Sequence, residues 1–135
     1  MSKQTNLSVC TSNTEIVACI QLKIPFTIHS SITKLKLNSI LNRIGTEGAK
    51  SLADVLKDNV TLTTLNLGHQ LIGDDGAKSL ANVLKENSTL TTLNLKFNYI
   101  GDEGAKTLTE ALKENRTLTL LDLRYNNIGD AAIIV

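Results

Sequence analysis

The sequence predicts an α/β solenoid in which short parallel strands and helices alternate along a curved stack. Residues 61–88 read TLTTLNLGHQLIGDDGAKSLANVLKENS, and residues 89–116 read TLTTLNLKFNYIGDEGAKTLTEALKENR. The same pattern starts again at residue 117 as TLTLLDLRYNNIGD. A 28-residue period, kept without a gap across two boundaries, is typical of a solenoid, in which each repeat packs on its neighbours.

The composition fits one domain whose core is built from aliphatic side chains. Of the 135 residues, 41% are hydrophobic but only 3% are aromatic, so Leu, Ile, Val and Ala must fill the interior. The formal net charge of +1 provides no long-range field for nucleic acid or an anionic membrane. We therefore expect neither as a partner.

The cellular location is predicted from the N-terminal stretch. Residues 1–15 have no apolar core of signal-peptide length behind a basic start. No run approaches the roughly 18 apolar residues that would suggest a membrane span. We expect a cytoplasmic protein in which Cys10 and Cys19, the two cysteines of the chain, are reduced.

Each repeat is predicted to begin with a short strand. In residues 91–96, TTLNLK, Leu93 and Leu95 alternate with polar neighbours, which indicates a strand with one buried face. Asn98 and Ile100 follow in the loop that leads to the helix. The repeat thus consists of a strand, a loop, a helix and a turn that leads to the next strand.

A helix from Ala105 to about Glu114 completes the repeat. We expect Asp102 to cap its first turn by accepting a backbone N–H, and Asn115 to end it in a left-handed conformation. Small residues at the helix start let it lie close to the sheet. An apolar stripe at helical spacing consists of Ala105, Leu108, Ala111 and Leu112.

Residues 31–60 form an earlier repeat that contains an insertion. Its second half keeps the pattern from Ile44 onward, but its strand fits only if two extra residues lie between Leu37 and Ile44. Without the insertion, Lys34 and Ser39 would occupy buried positions. Burying those polar groups costs more free energy than a bulged loop.

The N-terminal stretch has two interpretations. It is either a degenerate capping repeat or an irregular leader. A shift by one repeat length places Leu7 and Val9 on a strand, and Pro25 inside a helix that it would disrupt. The same shift puts Ala18, Cys19, Leu22 and Phe26 at buried helix positions. The predicted division is 1–30 for this unit and 31–135 for the array, with repeats at 31–60, 61–88, 89–116 and, in part, 117–135.

The last repeat contains a strand and then stops. Leu118, Leu121 and Leu123 build the strand, and residues 130–135 read DAAIIV. Solenoids usually need a polar capping repeat. The apolar end therefore predicts either a longer array or end-to-end self-association through residues 117–135.

The frame LxLxxNxIGDxGAxxLxxxLKEN, at residues 93–115, resembles the ribonuclease-inhibitor class of leucine-rich repeat. The resemblance covers residues 31–135 and implies parallel strands on a concave face and helices on a convex face. Physical spacing requires the same curvature, because strands lie about 4.8 Å apart and packed helices about 8–10 Å apart. One departure is Gln70, where the class has Asn or Cys, and its longer side chain is expected to secure the loop imperfectly.

No catalytic, metal or cofactor motif is recognised in the sequence. His29 and His69 are too far apart in the pattern to share a site, and the cysteines lack zinc spacing. Gly-Asp-Asp-Gly and Gly-Asp-Glu-Gly are interpreted as helix starts rather than calcium loops. We predict no enzyme activity, no metal and no cofactor.

The solvent-facing strand positions are predicted to bind a protein. Neighbouring repeats stack these positions into columns, and three rings, His69, Phe97 and Tyr125, follow the strands. Two of the rings adjoin Lys96 and Arg124, and aromatic and Arg side chains are enriched at interfaces. The alternative is a solvated charged face with Phe97 folded over the core. The predicted partner-binding residues are Lys36, Asn66, His69, Asn94, Lys96, Phe97, Leu120, Asp122, Arg124 and Tyr125.

The function predicted first is a non-catalytic protein–protein interaction module that binds through its concave strand face. Within the class that the repeats resemble, similar arrays serve as ribonuclease inhibitors and as ligand-sensing parts of NOD-like receptors. Ran GTPase-activating proteins use the same repeats, so a GTPase-activating-type regulator is an alternative. A structural piece that assembles through its C-terminal edge is another.

Overall fold

A computed structural model describes residues 8–129 and contains two parallel sheets within that range. The larger sheet has four strands in the order β3-β4-β5-β6, and the smaller pairs β1 with β2. The strands are β1 (Ser8–Cys10), β2 (Phe26–Ile28), β3 (Lys34–Lys36), β4 (Thr64–Asn66), β5 (Thr92–Asn94) and β6 (Leu120–Asp122). The helices are α1 (Asn13–Leu22), α2 (Gly45–Asp58), α3 (Gly73–Leu84) and α4 (Asp102–Leu112). The predicted α/β architecture, with strands on the concave face and helices on the convex face, is confirmed.

The register of the larger sheet repeats the period of the sequence. Leu65 pairs with Leu93, and Leu93 pairs with Leu121, so each step is one 28-residue repeat. Leu35 pairs with Leu65, so the step between the first two strands is longer by two positions. The two extra residues predicted before Ile44 are therefore present, and Ser39 is exposed in the loop that contains them.

The core lies between the sheet and the helices. The inward strand leucines are at most 1% exposed from Leu35 to Leu95, and the apolar stripes of α2, α3 and α4 pack against them. A glycine in the first turn of α2, α3 and α4 (Gly48, Gly76 and Gly104) allows close approach to the preceding helix. A Cβ on Gly76 would lie 3.1 Å from Ala49 Cβ and 2.5 Å from Ile72 Cγ2. Small residues there thus serve packing between repeats as well as packing on the sheet.

Helix capping differs from the prediction, because it acts between repeats. The helix of the third repeat begins at Asp102 itself, and its N-cap residue is Gly101, which has no side chain to cap it. Instead Asp74 Oδ1, from the preceding repeat, accepts hydrogen bonds from Gly101 N at 2.7 Å and Gly104 N at 3.1 Å. Asp102 repeats this contact by accepting from Gly129 N at 2.6 Å. The predicted self-cap is wrong, and each aspartate joins two repeats.

The asparagine after each helix also acts differently from the prediction. None of Asn59, Asn87 and Asn115 is among the residues with left-handed backbone in the range 8–129. Asn115 Oδ1 accepts from Thr117 N at 3.0 Å and Leu118 N at 2.7 Å, which closes the turn into the strand. Its Nδ2 donates to Leu84 O in the preceding repeat at 2.7 Å. The amide side chain satisfies backbone groups at the junction, so no left-handed residue is required there.

The N-terminal unit forms a strand–helix–strand motif. Cys10, Ile16, Ile20, Phe26 and Ile28 are its buried hydrophobic residues. The register predicted from a one-repeat shift is wrong here: Val9 is 56% exposed, Leu22 is 69% exposed and Ala18 is exposed. Pro25 lies beyond the helix, which ends at Leu22, so it removes no helical hydrogen bond. Leu7 lies outside the described residues.

Candidate functional site

The strand face presents the predicted columns of side chains in register. Lys36, Asn66, Asn94 and Asp122 occupy adjacent strands, and the column beside them contains Lys34, Thr64, Thr92 and Leu120. Lys36 and Leu120 are exposed, whereas the two asparagines and Asp122 are half-buried. The face is therefore accessible along its whole length from β3 to β6.

Three residues of this face also hold the end of their own strand. Asn94 Oδ1 accepts a hydrogen bond from Lys96 N at 2.9 Å, and Asn66 Oδ1 accepts from Gly68 N at 3.0 Å. Asp122 Oδ1 repeats the bond with Arg124 N at 3.1 Å. Such Asx turns fix the path of the chain as it leaves the strand. These side chains are structural as well as exposed.

Three charged residues at the ends of the last two strands form one network. Arg124 donates two hydrogen bonds to Asp122, from Nε at 3.0 Å and from Nη2 at 2.9 Å. Lys96 Nζ lies 4.0 Å from the same carboxylate. The hydrogen-bonded Arg124 guanidinium lowers the pKa of Asp122 below its usual value of 3.8, although burial opposes the shift. The pKa of Arg124 is raised in turn by this bond.

The three predicted rings form a continuous stack beside the strand face. The His69 and Phe97 ring centroids lie 4.4 Å apart with planes 13° from parallel, and those of Phe97 and Tyr125 lie 4.5 Å apart at 8°. This spacing matches the strand spacing of about 4.8 Å, which sets the distance between repeats at this edge. Phe97 is 40% exposed and Tyr125 66% exposed, so the rings do not fold over the core.

Left-handed backbone aims these rings outward. The φ angles are 60° at His69, 55° at Phe97 and 61° at Tyr125. That conformation costs roughly 1–2 kcal/mol for a residue other than glycine, and it persists where surrounding contacts impose it. Its recurrence at one position of three consecutive repeats points to a surface feature of the array.

A buried ladder of amides imposes this loop shape. Asn98 is fully buried, and its Oδ1 accepts from Gln70 N at 2.9 Å and Ile72 N at 3.3 Å in the preceding repeat. Its Nδ2 donates to Leu67 O at 2.8 Å and Lys96 O at 3.1 Å. Asn126 repeats this arrangement one repeat later. Each amide thereby fixes its own loop to the loop before it.

Gln70 occupies the position that asparagine takes in later repeats. It holds the strand-to-helix loop of the first repeat more firmly than the sequence predicted. Its Nε2 donates to Ser39 O at 2.8 Å and Gly68 O at 3.1 Å, and its Oε1 accepts from Ile44 N at 3.2 Å. Ser39 lies in the loop widened by the insertion. The extra methylene of Gln70 spans that added distance, so the predicted imperfection is limited to one missing acceptor bond.

A second column, which the sequence prediction missed, runs parallel to the rings. Leu71 and Tyr99 lie two residues after His69 and Phe97 and also have left-handed backbone, with φ of 59° and 57°. Tyr99 is 66% exposed. The position between the inward amide and the inward isoleucine, as in Asn98-Tyr99-Ile100, faces outward in each repeat, which is the signal that could have revealed it.

The two columns enclose an open groove of about 500 Å³. Six of the large exposed hydrophobic side chains in the range 8–129 lie in the strand-to-helix loops, namely Ile40, Leu41, Leu71, Phe97, Tyr99 and Tyr125. The groove is lined by Ile40, Arg43, His69, Leu71, Phe97, Tyr99, Tyr125 and Asn127. We call this surface the loop edge. It combines apolar rings with a polar rim, a composition typical of protein interfaces.

The described residues form no cluster of three or more His, Cys, Asp or Glu side chains that could hold a metal ion. His29 Nδ1 lies 2.7 Å from Ser31 Oγ in the N-terminal unit, whereas His69 belongs to the ring stack. Between residues 8 and 129, no helix has the length and apolar character to cross a membrane.

Comparison with known families connects this geometry to one of them. The model of the TMOD/LMOD leucine-rich domain matches residues 13–132. The chain belongs to this family. Its leucine-rich character, predicted from the repeats, is thereby confirmed at the level of the fold. No curated protein matches the chain.

Two solved structures resemble this TMOD/LMOD leucine-rich domain. One is described as the leiomodin-1 actin-binding site 2, with 27% identity and a TM-score of 0.70 over 87% of this chain and 66% of that one. The other is the C-terminal domain of Caenorhabditis elegans tropomodulin, with 16% identity and a TM-score of 0.65 over 90% of this chain and 71% of that one. The chain thus spans just under two thirds of the leiomodin-1 structure. The tropomodulin match shows the shared fold alone.

Proposed function

We propose that this chain is a non-catalytic module that binds actin through its concave strand face and the adjoining loop edge. The partner class is supported by the leiomodin-1 structure, which is described as an actin-binding site and is 27% identical to this chain. The surface is supported by the chain itself. The observation that carries the proposal is the exposed stack of His69, Phe97 and Tyr125, fixed by buried amides.

A rigid stack suits protein recognition for an energetic reason. Binding orders side chains at a cost of about 0.5–1.5 kcal/mol for each flexible one, and rings already held by their neighbours avoid part of that cost. Truncating a central aromatic anchor typically weakens binding by about 2 kcal/mol or more. Phe97 has a ring on each side, and we propose it as the central anchor.

The strand face contributes the polar half of the proposed interface. Lys36 lies at one end of its column and the Asp122–Arg124 pair at the other, with Asn66 and Asn94 between them. Charged residues at a rim influence association rate and orientation more than affinity. Substitutions there are expected to weaken binding less than loss of a ring.

The narrower predictions from the sequence belong to this proposal. We propose that the repeats are of the ribonuclease-inhibitor class, that residues 1–30 cap an array covering residues 31–135, and that the protein is cytoplasmic. The regular step from Leu65 to Leu93 to Leu121 supports the first of these.

Binding of labelled chain to purified actin, monomeric and filamentous, tests the proposal. We expect Phe97→Ala to weaken binding about 30-fold, from the loss of about 2 kcal/mol of anchor energy. Tyr99→Ala tests the second column, with an expected loss of about tenfold. Thermal unfolding of each variant checks that the repeats remain folded.

A matched control removes exposed apolar surface elsewhere. Val60 is 74% exposed and precedes β4, the strand of the next repeat, at the opposite edge, so Val60→Ala should bind as wild type does. Absence of actin binding by the wild type would exclude the proposed partner. Equal affinity of wild type and Phe97→Ala would exclude the ring stack as the binding surface.

Two alternative functions are separated by independent measurements. Stimulated GTP hydrolysis by a small GTPase would indicate the GTPase-activating-type regulator. A mass that rises with concentration in light scattering would indicate self-association through residues 117–135, of which 130–135 lie outside the described residues.

A further inference from the structure

The two cysteines of the chain, nine residues apart in sequence, are brought together by the N-terminal unit. Cys10 ends β1, Cys19 lies in α1, and their sulfurs are 3.6 Å apart as free thiols. A disulfide requires an S–S distance of about 2.05 Å, so the sulfurs must approach by about 1.5 Å. We propose that Cys10 and Cys19 form an oxidisable dithiol, which peroxide converts to an intramolecular disulfide joining β1 to α1.

Hydrogen bonds of the fold hold both cysteines in place. Cys10 O accepts from His29 N at 2.9 Å, and Cys19 O accepts from Ile24 N at 2.9 Å. The start of α1 is fixed as well, because Ser12 Oγ accepts from Glu15 N while a Glu15 carboxylate oxygen accepts from Thr11 N. The short turn between the two sulfurs is therefore ordered, and their contact follows from the backbone.

Unequal exposure assigns the order of the reaction. Cys10 is 1% exposed, whereas Cys19 is partly exposed, so hydrogen peroxide reaches Cys19 first. The Cys19 sulfur attacks one peroxide oxygen, the O–O bond breaks, and a sulfenic acid and one water result. The Cys10 sulfur then attacks the sulfenic sulfur and displaces a second water. Two thiols and one peroxide thus give one disulfide and two waters.

The buried partner makes the second step depend on pH. Burial, the contact with Cys19 and the nearby Glu15 carboxylate raise the pKa of the Cys10 thiol to about 12. Burial persists once Cys19 is oxidised, and the thiolate is the attacking form, so closure of the disulfide should accelerate as the pH rises from neutral to pH 9. Cys10 itself remains protected from direct oxidation.

Proteolytic mapping of the whole chain tests the proposal. Trypsin cleaves after Lys3 and Lys23 and places both cysteines in residues 4–23, and cleavage after Glu15 then separates them. After brief treatment of the native protein with hydrogen peroxide, we expect residues 4–15 and 16–23 to remain joined until a reductant is added. The oxidised protein should keep the mass of a single chain.

Substitution of each cysteine tests the proposed disulfide independently of the digestion. Cys19→Ala changes a partly exposed side chain, and we expect it to fold and to slow peroxide consumption at least tenfold, because Cys10 is shielded. If Cys10→Ala fails to fold, digestion of the oxidised wild type still shows whether the two cysteines are joined. Oxidation of Cys19 to sulfinic acid without a link, a disulfide between two chains, or unchanged thiols in the native protein would each overturn the proposal.

Discussion

The loops of the regular repeats and the loop of the first repeat, residues 31–60, are held in place by different polar contacts. From residue 89 onward, each loop is fixed to the preceding one by an inward asparagine, as Asn98 and Asn126 show. In the first repeat, the bond that the Asn42 side chain makes lies within its own loop, from Nδ2 to Leu37 O at 3.1 Å. The difference shows that asparagine forms the ladder across an unbroken 28-residue step, whereas the longer Gln70 takes its place across the insertion.

The attachment of the N-terminal unit to the array differs in the same way. Asn13 Nδ2 donates to Lys36 O at 2.9 Å, and Gln21 Nε2 donates to Asn42 O at 3.2 Å. Both bonds come from exposed side chains, whereas the bonds between regular repeats include buried ones. Since a solenoid is stabilised by its nearest-neighbour interfaces, the boundary near residue 30 should be the weakest of them.

The largest expected effect comes from breaking the amide ladder in the regular region. Asn98→Ala leaves the N–H groups of Gln70 and Ile72 and the carbonyl of Leu67 without a partner, while Lys96 O keeps its bond from His69 N. We expect the free energy of unfolding to fall by about 4 kcal/mol. The matched change in the first repeat, Asn42→Ala, removes one bond and should cost about 1 kcal/mol. Denaturant unfolding followed by circular dichroism measures both. Equal losses would contradict the contrast between the two regions.

A smaller effect should follow from making the irregular position regular. Gln70→Asn restores the residue that the other loops use, but the shorter side chain cannot reach Ser39 O across the insertion. We expect a loss of about 1.5 kcal/mol in the free energy of unfolding. The same unfolding measurement checks it, with the exposed substitution Val60→Ala as the control. A gain in stability would mean that the inserted loop closes onto a shorter side chain.

The inter-repeat cap should contribute about as much as an ordinary helix cap. Asp74→Ala removes the acceptor for Gly101 N and Gly104 N, with an expected loss of about 1 kcal/mol. Hydrogen exchange should accelerate at the amide of Gly104 in particular, although the substitution lies in the preceding repeat. Asp75→Ala, at the neighbouring position, is the control and should leave that amide unchanged. Faster exchange confined to α3 would support a cap within the repeat instead.

The smallest expected effect concerns the carboxylate at the last strand. Hydrogen bonding to Arg124 lowers the pKa of Asp122, so its contribution to stability is complete above the usual value of 3.8 and is lost as pH falls through the folded value. Wild type should therefore lose more thermal stability than Asp122→Asn between pH 5 and about pH 2. Melting temperatures of both proteins across that range measure the difference. Parallel curves would show that the pair adds nothing to folding.

The contrast between regions also explains which parts of the candidate site could be predicted. The columns of the strand face and the ring stack follow from the repeat, because residues one repeat apart must lie side by side in a regular stack. Tyr99 was missed because its neighbours are buried, and only its left-handed backbone turns it outward. In residues 8–30 the one-repeat shift failed, since no neighbouring copy of the repeat was present to define the register.

The sequence alone determined the repeat length, the inward leucines, the two-residue insertion and the strand partners within the larger sheet. These are consequences of periodicity, and periodicity can be read without coordinates. Only the tertiary structure decided which polar groups meet across repeats: Asp74 with the next helix, Gln70 with Ser39, and Cys10 with Cys19. Such contacts depend on distances of a few tenths of an ångström between separate elements, and hydrogen-bond geometry does not leave a period in the sequence.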